Sequence, residues 1–226
     1  MKWFLEQFKL EREDLQQDLQ SLDLNLHECR IGDFACGWGY TSLGLMCETQ
    51  CKECVGVDLF EEDPVLEVPS LQAIQKLFEN LKSTKLGEQN LLQGNGVLRE
   101  IRRFLNDDRD INFQVGDIVK GRNLPINLDF VYCKKLLQNI LEGGGYPNEF
   151  EGEEGVKEAI KHIAASVKDG GQVCLVEPAG QNFRVYLERE GLKIIRQCRI
   201  QRHEIIGVER NKLYKANYTV YHYSKG

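Results

Sequence analysis

Short apolar segments with the length of β-strands alternate with helix-like segments along most of this chain of 226 residues. The predicted strands span 29–35, 53–60, 111–119, 128–133, 172–178, 192–200 and 214–223. The spacing of apolar residues predicts helices over 39–48, 155–167 and 182–191. Strands separated by helices form parallel sheets that are covered on both faces. The alternation therefore predicts an α/β fold.

Several segments depart from this alternation. Residues 3–22 predict an amphipathic helix on the outside of the protein, with apolar positions at Phe4, Phe8, Leu15, Leu19 and Leu22. We therefore divide the chain into an N-terminal helical segment, 1–28, and a main domain, 29–226. Residues 61–110 predict a helical insertion after the second strand. The glycine- and acid-rich stretch 142–155 predicts a loop, and the Asp-Gly-Gly sequence at 169–171 predicts a turn.

Composition narrows the class of protein. Hydrophobic residues make up 42% of the chain and charged residues 28%, which is typical of a globular domain. The formal net charge of −6 disfavours a nucleic-acid-binding protein. No apolar run approaches the ~18 residues that a membrane span needs. Eight cysteines without a secretory signal are typical of reduced thiols, so we predict a cytoplasmic protein without a membrane partner.

One basic stretch stands against this acidic background. Residues 184–215 hold nine Lys or Arg side chains against four Glu. This excess could meet an acidic partner or RNA, but charges on the outer face of an edge hairpin are the favoured interpretation.

The first predicted strand runs into the sequence Asp-Phe-Ala-Cys-Gly-Trp-Gly, residues 33–39. Gly37 and Gly39 permit a tight turn and a close approach of the backbone to a ligand. The helix that follows offers unpaired amides to a negative charge. A dinucleotide-binding fingerprint would have glycine where this chain has Ser42. Asp33 instead suits a ligand with a cationic group close to the turn.

Two more acids follow strands. Asp58 lies nineteen residues after Gly39, at the end of the second predicted strand, where a carboxylate can accept both hydroxyls of a ribose. Asp117 follows the third and suits the exocyclic amine of adenine. Ligands of open α/β sheets bind at the carboxyl ends of the strands. An amino acid, a ribose and an adenine together describe S-adenosylmethionine.

With these motifs, the chain from about residue 29 onward resembles the class I S-adenosylmethionine-dependent methyltransferases. DFACGWG resembles the first family motif, with Ala35 where glycine is usual, and VGVDLF and FQVGDIV resemble the second and third. LDFVYCKKLLQNI and VKDGGQVCLVEP resemble the fourth and fifth strand regions. The resemblance implies a three-layer sandwich with a mostly parallel seven-stranded sheet whose last strand is antiparallel. It also implies S-adenosylmethionine as cofactor, no metal, and a cofactor site formed by Asp33, Ala35, Cys36, Gly37, Gly39, Asp58, Leu59, Asp117, Ile118 and Tyr132.

The sequence constrains the methyl acceptor less than it constrains the cofactor. Tyr132 could face the sulfonium or the acceptor, although packing at the strand end is an equal alternative, and Lys134 and Lys135 are interpreted as solvated. No NPPY-like or DPPY-like sequence follows the fourth strand, which disfavours amino methylation of adenine, cytosine or glutamine, and no catalytic base is predicted. A small-molecule acceptor is favoured. A partial resemblance to the chemotaxis receptor methyltransferases makes a protein glutamate the second choice, and a non-catalytic cofactor-binding regulatory protein stays open.

Cys47, Cys51 and Cys54 have the C-x3-C-x2-C spacing by which radical S-adenosylmethionine enzymes hold an iron–sulfur cluster. However, the first falls in a predicted helix and the last in a predicted strand, so the three do not share one loop. We therefore interpret them as small, partly buried residues.

Overall fold

A computed structural model of the chain describes residues 2–20, 22, 24–59, 75, 76, 79, 109–143, 152–180, 182–205 and 213–226. Its helices are α1 (Lys2–Gln20), α2 (Tyr40–Thr49), α3 (Leu136–Leu141), α4 (Gly152–Ser166) and α5 (Arg184–Arg189). Its strands are β1 (Arg30–Phe34), β2 (Glu53–Asp58), β3 (Asp110–Val115), β4 (Leu128–Lys134), β5 (Val167–Pro178), β6 (Leu192–Ile205) and β7 (Leu213–Lys225).

The strands form one seven-stranded sheet in the order β3-β2-β1-β4-β5-β7-β6. The pairs from β3 to β5 are all parallel, whereas β7 runs antiparallel to both of its neighbours, β5 and β6. This confirms the predicted fold class, including the antiparallel last strand. Most of the predicted insertion at 61–110 lies outside the described residues; positions 75, 76 and 79 are helical, and β3 begins at Asp110.

Helices cover both faces of the sheet. On one face, α1 and α2 pack against the sheet through fully buried side chains such as Phe8, Leu15 and Leu43. On the other face, α4 and α5 bury Ile160 and Leu187. Removing each such side chain from water stabilises the folded protein by about 1.5–3 kcal/mol. Burial on both faces explains why the central strands read as continuous apolar runs.

The predicted turn at 169–171 is wrong in its detail, because these residues lie inside β5. The register shifts here: Leu128 of β4 pairs with Val167, but Phe130 pairs with Gln172. The extra residues of β5 form a bulge, in which Gly170 has a φ of +74°. Glycine therefore permits a local bend without ending the strand.

The predicted loop at 142–155 extends too far, because α4 begins at Gly152. Glu153 and Glu154 occupy its first turn, where carboxylates interact favourably with the positive end of the helix dipole. Residues 144–151 of this prediction lie outside the described part of the chain.

Strand β3 ends at Val115, four residues earlier than predicted, and β6 and β7 are longer than predicted. The chain leaves β3 for a turn in which Asp117 and Arg122 each donate a backbone hydrogen bond to the other's carbonyl. Within the described ranges, no helix has the length and apolar character that crossing a bilayer requires.

Candidate functional site

The turn after β1 is fastened to the neighbouring strand by its backbone. The amides of Ala35 and Cys36 both donate to the carbonyl of Val57, at 2.8 and 3.1 Å, and the amide of Gly39 donates to the Cys36 carbonyl at 2.9 Å. Helix α2 begins directly afterwards, at Tyr40. The strand order therefore brings the turn beside the carboxyl end of β2, as expected for a parallel sheet.

Three residues of this turn have left-handed backbone conformations. The φ angles are +65° at Ala35, +50° at Gly37 and +72° at Gly39. Glycine adopts this region at little cost, whereas an L-residue such as Ala35 is strained there by about 1–2 kcal/mol. A Cβ built on Gly37 would meet no heavy atom of the described residues within 4 Å, so these residues leave open space beside the turn.

Asp58 reaches across from the end of β2 to this turn. Its Oδ2 accepts a hydrogen bond from the amide of Gly37 at 2.8 Å, and its Oδ1 accepts one from the amide of Leu59 at 2.8 Å. The Asp58 carbonyl also accepts from the amide of Gly116 at 2.9 Å, which ties the end of β3 to the same place.

Asp33 is directed toward α2. Its side chain is buried, and its Oδ2 accepts a hydrogen bond of 2.6 Å from the hydroxyl of Ser42. Burial raises the pKa of the Asp33 carboxyl to about 7, although the Ser42 hydrogen bond opposes this change. Ser42 also lies close to Gly56 of β2, where any Cβ would come within 2.9 Å of its hydroxyl. The same Cβ would come still closer to the ring of Phe113 on β3, at 2.6 Å, so a neighbouring strand and α2 both restrict this position to glycine. This close approach was not predicted from the sequence.

Asp117 stabilises its own turn. Its Oδ1 accepts a hydrogen bond of 2.9 Å from the amide of Lys120. The next residue, Ile118, packs its side chain into the core, and its carbonyl lies 3.1 Å from Nδ1 of His162. The role predicted for Ile118 at the cofactor stays a prediction.

Cys36 and Tyr132 are both buried. Cys36 packs in the cluster under α1 and α2, and burial raises the pKa of its thiol well above the ordinary value. The hydroxyl of Tyr132 donates a 2.6 Å hydrogen bond to Asp18 Oδ2 on α1. The roles predicted for Cys36 and Tyr132 at the cofactor stay predictions.

The interpretation of Lys134 as a solvated residue is wrong. Only 16% of its side chain is exposed, and Nζ lies 2.8 Å from Glu11 Oε2 and 3.0 Å from Asp14 Oδ2. Burial lowers the pKa of Lys134, but the carboxylates of Glu11 and Asp14 outweigh this and leave the pKa above its ordinary value. Lys135 places its ammonium over the ring of Tyr218, 5.3 Å from the centroid.

Arg202 and Asp18 form a buried ion pair that the sequence analysis missed. The sequence nevertheless contains a signal for each of these two residues. Asp18 lies three residues after Leu15 and four before Leu22, which places an acid on the apolar face of α1. Arg202 continues the inward-facing alternation of Cys198 and Ile200 on β6. A charge on a buried face requires a buried partner.

The three cysteines with cluster-like spacing lie as the sequence analysis expected. Cys47 is in α2, Cys54 is in β2, and Cys51 lies between them with its sulfur 3.5 Å from that of Met46. All three are buried. Among the residues that the structure describes, no group of three or more His, Cys, Asp or Glu side chains could hold a metal ion.

The sheet has the strand order and the antiparallel last strand of the fold class that the sequence motifs predicted, and a solved S-adenosylmethionine-dependent methyltransferase shares this fold. No family model matches the chain, and no curated protein matches it in sequence. Solved structures do share its fold. A TehB-like S-adenosylmethionine-dependent methyltransferase from Corynebacterium glutamicum is 15% identical, with a TM-score of 0.52 over 94% of this chain and 87% of that chain.

Two further structures are similar at comparable distance. The YcgJ protein of Bacillus subtilis is 11% identical, with a TM-score of 0.56 over 95% of this chain and 99% of that chain. The [4+2]-cyclase SpnF is 13% identical, with a TM-score of 0.55 over 95% of this chain and 80% of that chain. At these identities the likeness shows the fold, which hosts more than one reaction. The resemblance to chemotaxis receptor methyltransferases is not supported by these comparisons.

Proposed function

We propose that this protein is a methyltransferase that uses S-adenosylmethionine and methylates a small molecule in the cytoplasm. The observation that carries the proposal is the contact between Asp58 and the Gly37 amide in a sheet of this fold. It joins the acid that ends β2 to a glycine turn beside which the described residues leave room for a ligand. This arrangement supports a site for a ribose next to an amino acid.

The residues present fit the cofactor. Asp58 would accept the ribose hydroxyls, and the backbone around Asp117 and Ile118 would meet adenine. The turn from Asp33 to Gly39 would meet the methionine part, with Ala35 and Cys36 inside the turn, Leu59 following Asp58, and Tyr132 near the sulfonium. No metal is part of the proposal. Bound there, S-adenosylmethionine would supply a methyl group that its sulfonium has already activated.

The protein's own contribution is positioning. The left-handed turn holds its amides in a fixed direction because the Val57 carbonyl fastens two of them. The residues after β4 would hold the acceptor in line with the methyl group, which provides most of the rate advantage when no covalent step is needed. We assign no catalytic base.

A non-catalytic cofactor-binding protein is the second candidate. The observation that favours it is the packing of α1 against the end of β4, through Glu11 and Asp14 on Lys134. A methyl acceptor bound after β4 would have to share the space at the end of this strand with α1. A protein glutamate as acceptor stays a prediction from the sequence.

Calorimetric titration of the ligand-free protein tests the proposal. We expect S-adenosylmethionine and its demethylated product to bind with micromolar-range affinity and NAD to show no heat of binding. Binding of NAD without binding of either sulfur nucleotide would contradict the proposal. Release of the demethylated product in the presence of candidate small acids and amines separates a methyltransferase from a non-catalytic binder.

A further inference from the structure

Three cations lie close together at the carboxyl edge of the sheet, two of them over one aromatic ring. The ring belongs to Tyr218 on β7, which pairs with Pro178, the last residue of β5. The guanidinium carbon of Arg202 lies 5.2 Å from the ring centroid, and Nζ of Lys135 lies 5.3 Å from it. Lys134, at the end of β4, is the third cation, and it shares a carboxylate with Arg202. We call Lys134, Lys135, Arg202 and Tyr218 the cationic cluster.

Arg202 is buried but incompletely paired. Its side chain has no exposed surface. Its Nη2 donates to Asp18 Oδ1 and, at 3.3 Å, to the carbonyl of Asp14. Within the described ranges, Nε and Nη1 have no hydrogen-bond acceptor, and Nη1 is 3.5 Å from Asp14 Oδ2. A buried guanidinium that leaves donors unused has lost its water without full replacement.

All the carboxylates that pair with Lys134 and Arg202 in the described residues come from α1. Glu11 and Asp14 pair with Lys134, and Asp14 and Asp18 pair with Arg202. Their spacing of three and four residues puts them on one face of the helix. Asp14 contacts both cations, and 27% of its side chain is exposed. The sheet therefore supplies the positive charge, and a separate helix supplies the negative charge.

We propose that the cationic cluster is the subsite for a carboxylate of the methyl acceptor, and that Asp14 occupies it when no acceptor is bound. The proposal rests on the proposed function, because it places the cluster next to the residues after β4 where the acceptor would lie. Arg and Lys side chains make charge-assisted hydrogen bonds to carboxylates, and desolvation strengthens them. The substrate class is therefore a small molecule that carries a carboxylate. A neutral or cationic acceptor that displaced the Asp14 carboxylate would leave each cation with one carboxylate partner fewer, Lys134 with Glu11 and Arg202 with Asp18.

Malonate binding to an Asp14→Asn variant tests the subsite. The substitution removes one internal carboxylate from both cations and keeps the buried Asp18–Arg202 pair that holds α1. We expect calorimetry and thermal unfolding to show malonate binding at least about tenfold tighter than in the parent protein, a change of about 1.4 kcal/mol. Malonamide, which has the same shape without charge, should not bind. Adding Lys134→Gln to Asp14→Asn should remove the gain.

Glu13→Gln is the matched control, because Glu13 is an exposed neighbour on α1 with 54% of its side chain accessible. Equal malonate affinity in the parent, Asp14→Asn and Glu13→Gln proteins would overturn the subsite, as would a gain that survives Lys134→Gln.

If Asp14→Asn does not fold, Glu11→Gln removes the other partner of Lys134 and is expected to give the same gain. Malonate is titrated with and without the demethylated cofactor product. A protein that binds malonate but no sulfur nucleotide would contradict the proposed function while keeping the anion site.

Discussion

The backbone amide of Gly37 donates a 2.8 Å hydrogen bond to Asp58 Oδ2, although the two residues lie on different strand ends and 21 positions apart. The bond joins the turn after β1 to the acid that ends β2. Because the acceptor is a carboxylate, such a bond is worth about 1.5–3 kcal/mol. The turn is therefore held in one conformation without a ligand, which would lower the entropic cost of binding the proposed cofactor.

Gly37→Ala tests whether the open space beside the turn belongs to the cofactor. The new Cβ would meet no heavy atom of the described protein, so the stability cost comes from the positive φ alone, about 1–2 kcal/mol. We expect this loss in thermal unfolding together with a loss of cofactor affinity in calorimetry.

Gly191→Ala is its matched control, since Gly191 also has a positive φ, +79°, and open space at its Cβ. It should lose a similar amount of stability without changing cofactor affinity. If both variants bind S-adenosylmethionine equally well, the space beside Gly37 is ordinary solvent.

Ala35→Gly should stabilise the protein. Glycine relieves about 1–2 kcal/mol of strain at φ +65° and costs about 0.4–1 kcal/mol through the freer unfolded chain. The net gain of about 0.5–1 kcal/mol corresponds to a rise in the unfolding temperature of about 1–4 °C. Ala165→Gly, at an exposed position of α4, should lower that temperature instead. A lower unfolding temperature for Ala35→Gly would show that Ala35 is not strained.

The sheet could be predicted because each parallel strand leaves a local pattern. Strands β1, β2 and β4 are mostly apolar runs with buried residues, and β1 is followed by the glycine turn while β2 ends in Asp58. The bulge in β5 was not predicted, because Asp-Gly-Gly has the same local preference in a turn and in a bulge. The pairing of Val167 with Leu128, which keeps this segment in the sheet, is a long-range contact.

The candidate site was predicted in part, because some of its residues have a local sequence pattern and others depend on long-range contacts. Asp33, Asp58 and Asp117 share one pattern, an acid at or just after a strand end, yet only Asp58 reaches the glycine turn. Asp33 turns toward Ser42, and Asp117 binds the amide of Lys120. The contacts of α1 could not be predicted, since Arg202 and Asp18 are 184 residues apart and nothing local pairs them.

Asp33→Asn should change how stability depends on pH. Burial raises the pKa of Asp33 to about 7 in the folded state, against 3.8 for the ordinary group. Between these values the folded protein binds more protons than the unfolded chain, so the parent loses stability as pH rises from about 4 to about 7. The loss is about 1.4 kcal/mol for each pH unit within this range.

Asparagine cannot ionise and can still accept the Ser42 hydrogen bond. The stability of Asp33→Asn relative to the parent should therefore increase across this pH range and level off above it. Chemical denaturation at several pH values measures the difference, with Asp169→Asn as control, since 90% of the Asp169 side chain is exposed. A difference that stays constant from pH 4 to pH 8 would contradict the buried, protonated carboxyl.

Asp117→Ala should affect stability more than cofactor binding. The substitution removes the acceptor for the Lys120 amide, a loss of about 0.5–1.5 kcal/mol in the free energy of unfolding. The adenine contact proposed for Asp117 is one hydrogen bond that water can partly replace, so the affinity should fall by less than in Asp58→Ala. A larger loss of affinity than in Asp58→Ala would reverse the roles assigned to the two acids.

Titration of Asp58→Ala with S-adenosylmethionine tests the central claim most directly. The carboxylate is expected to accept two ribose hydroxyls through charge-assisted hydrogen bonds of about 1.5–3 kcal/mol each. The variant should therefore bind about a hundredfold to ten-thousandfold more weakly than the parent, whereas Asp169→Ala should bind as the parent does. Thermal unfolding of the ligand-free proteins verifies that each variant is folded. If folded Asp58→Ala binds S-adenosylmethionine as tightly as the parent, Asp58 only fastens the glycine turn, and the cofactor site lies elsewhere.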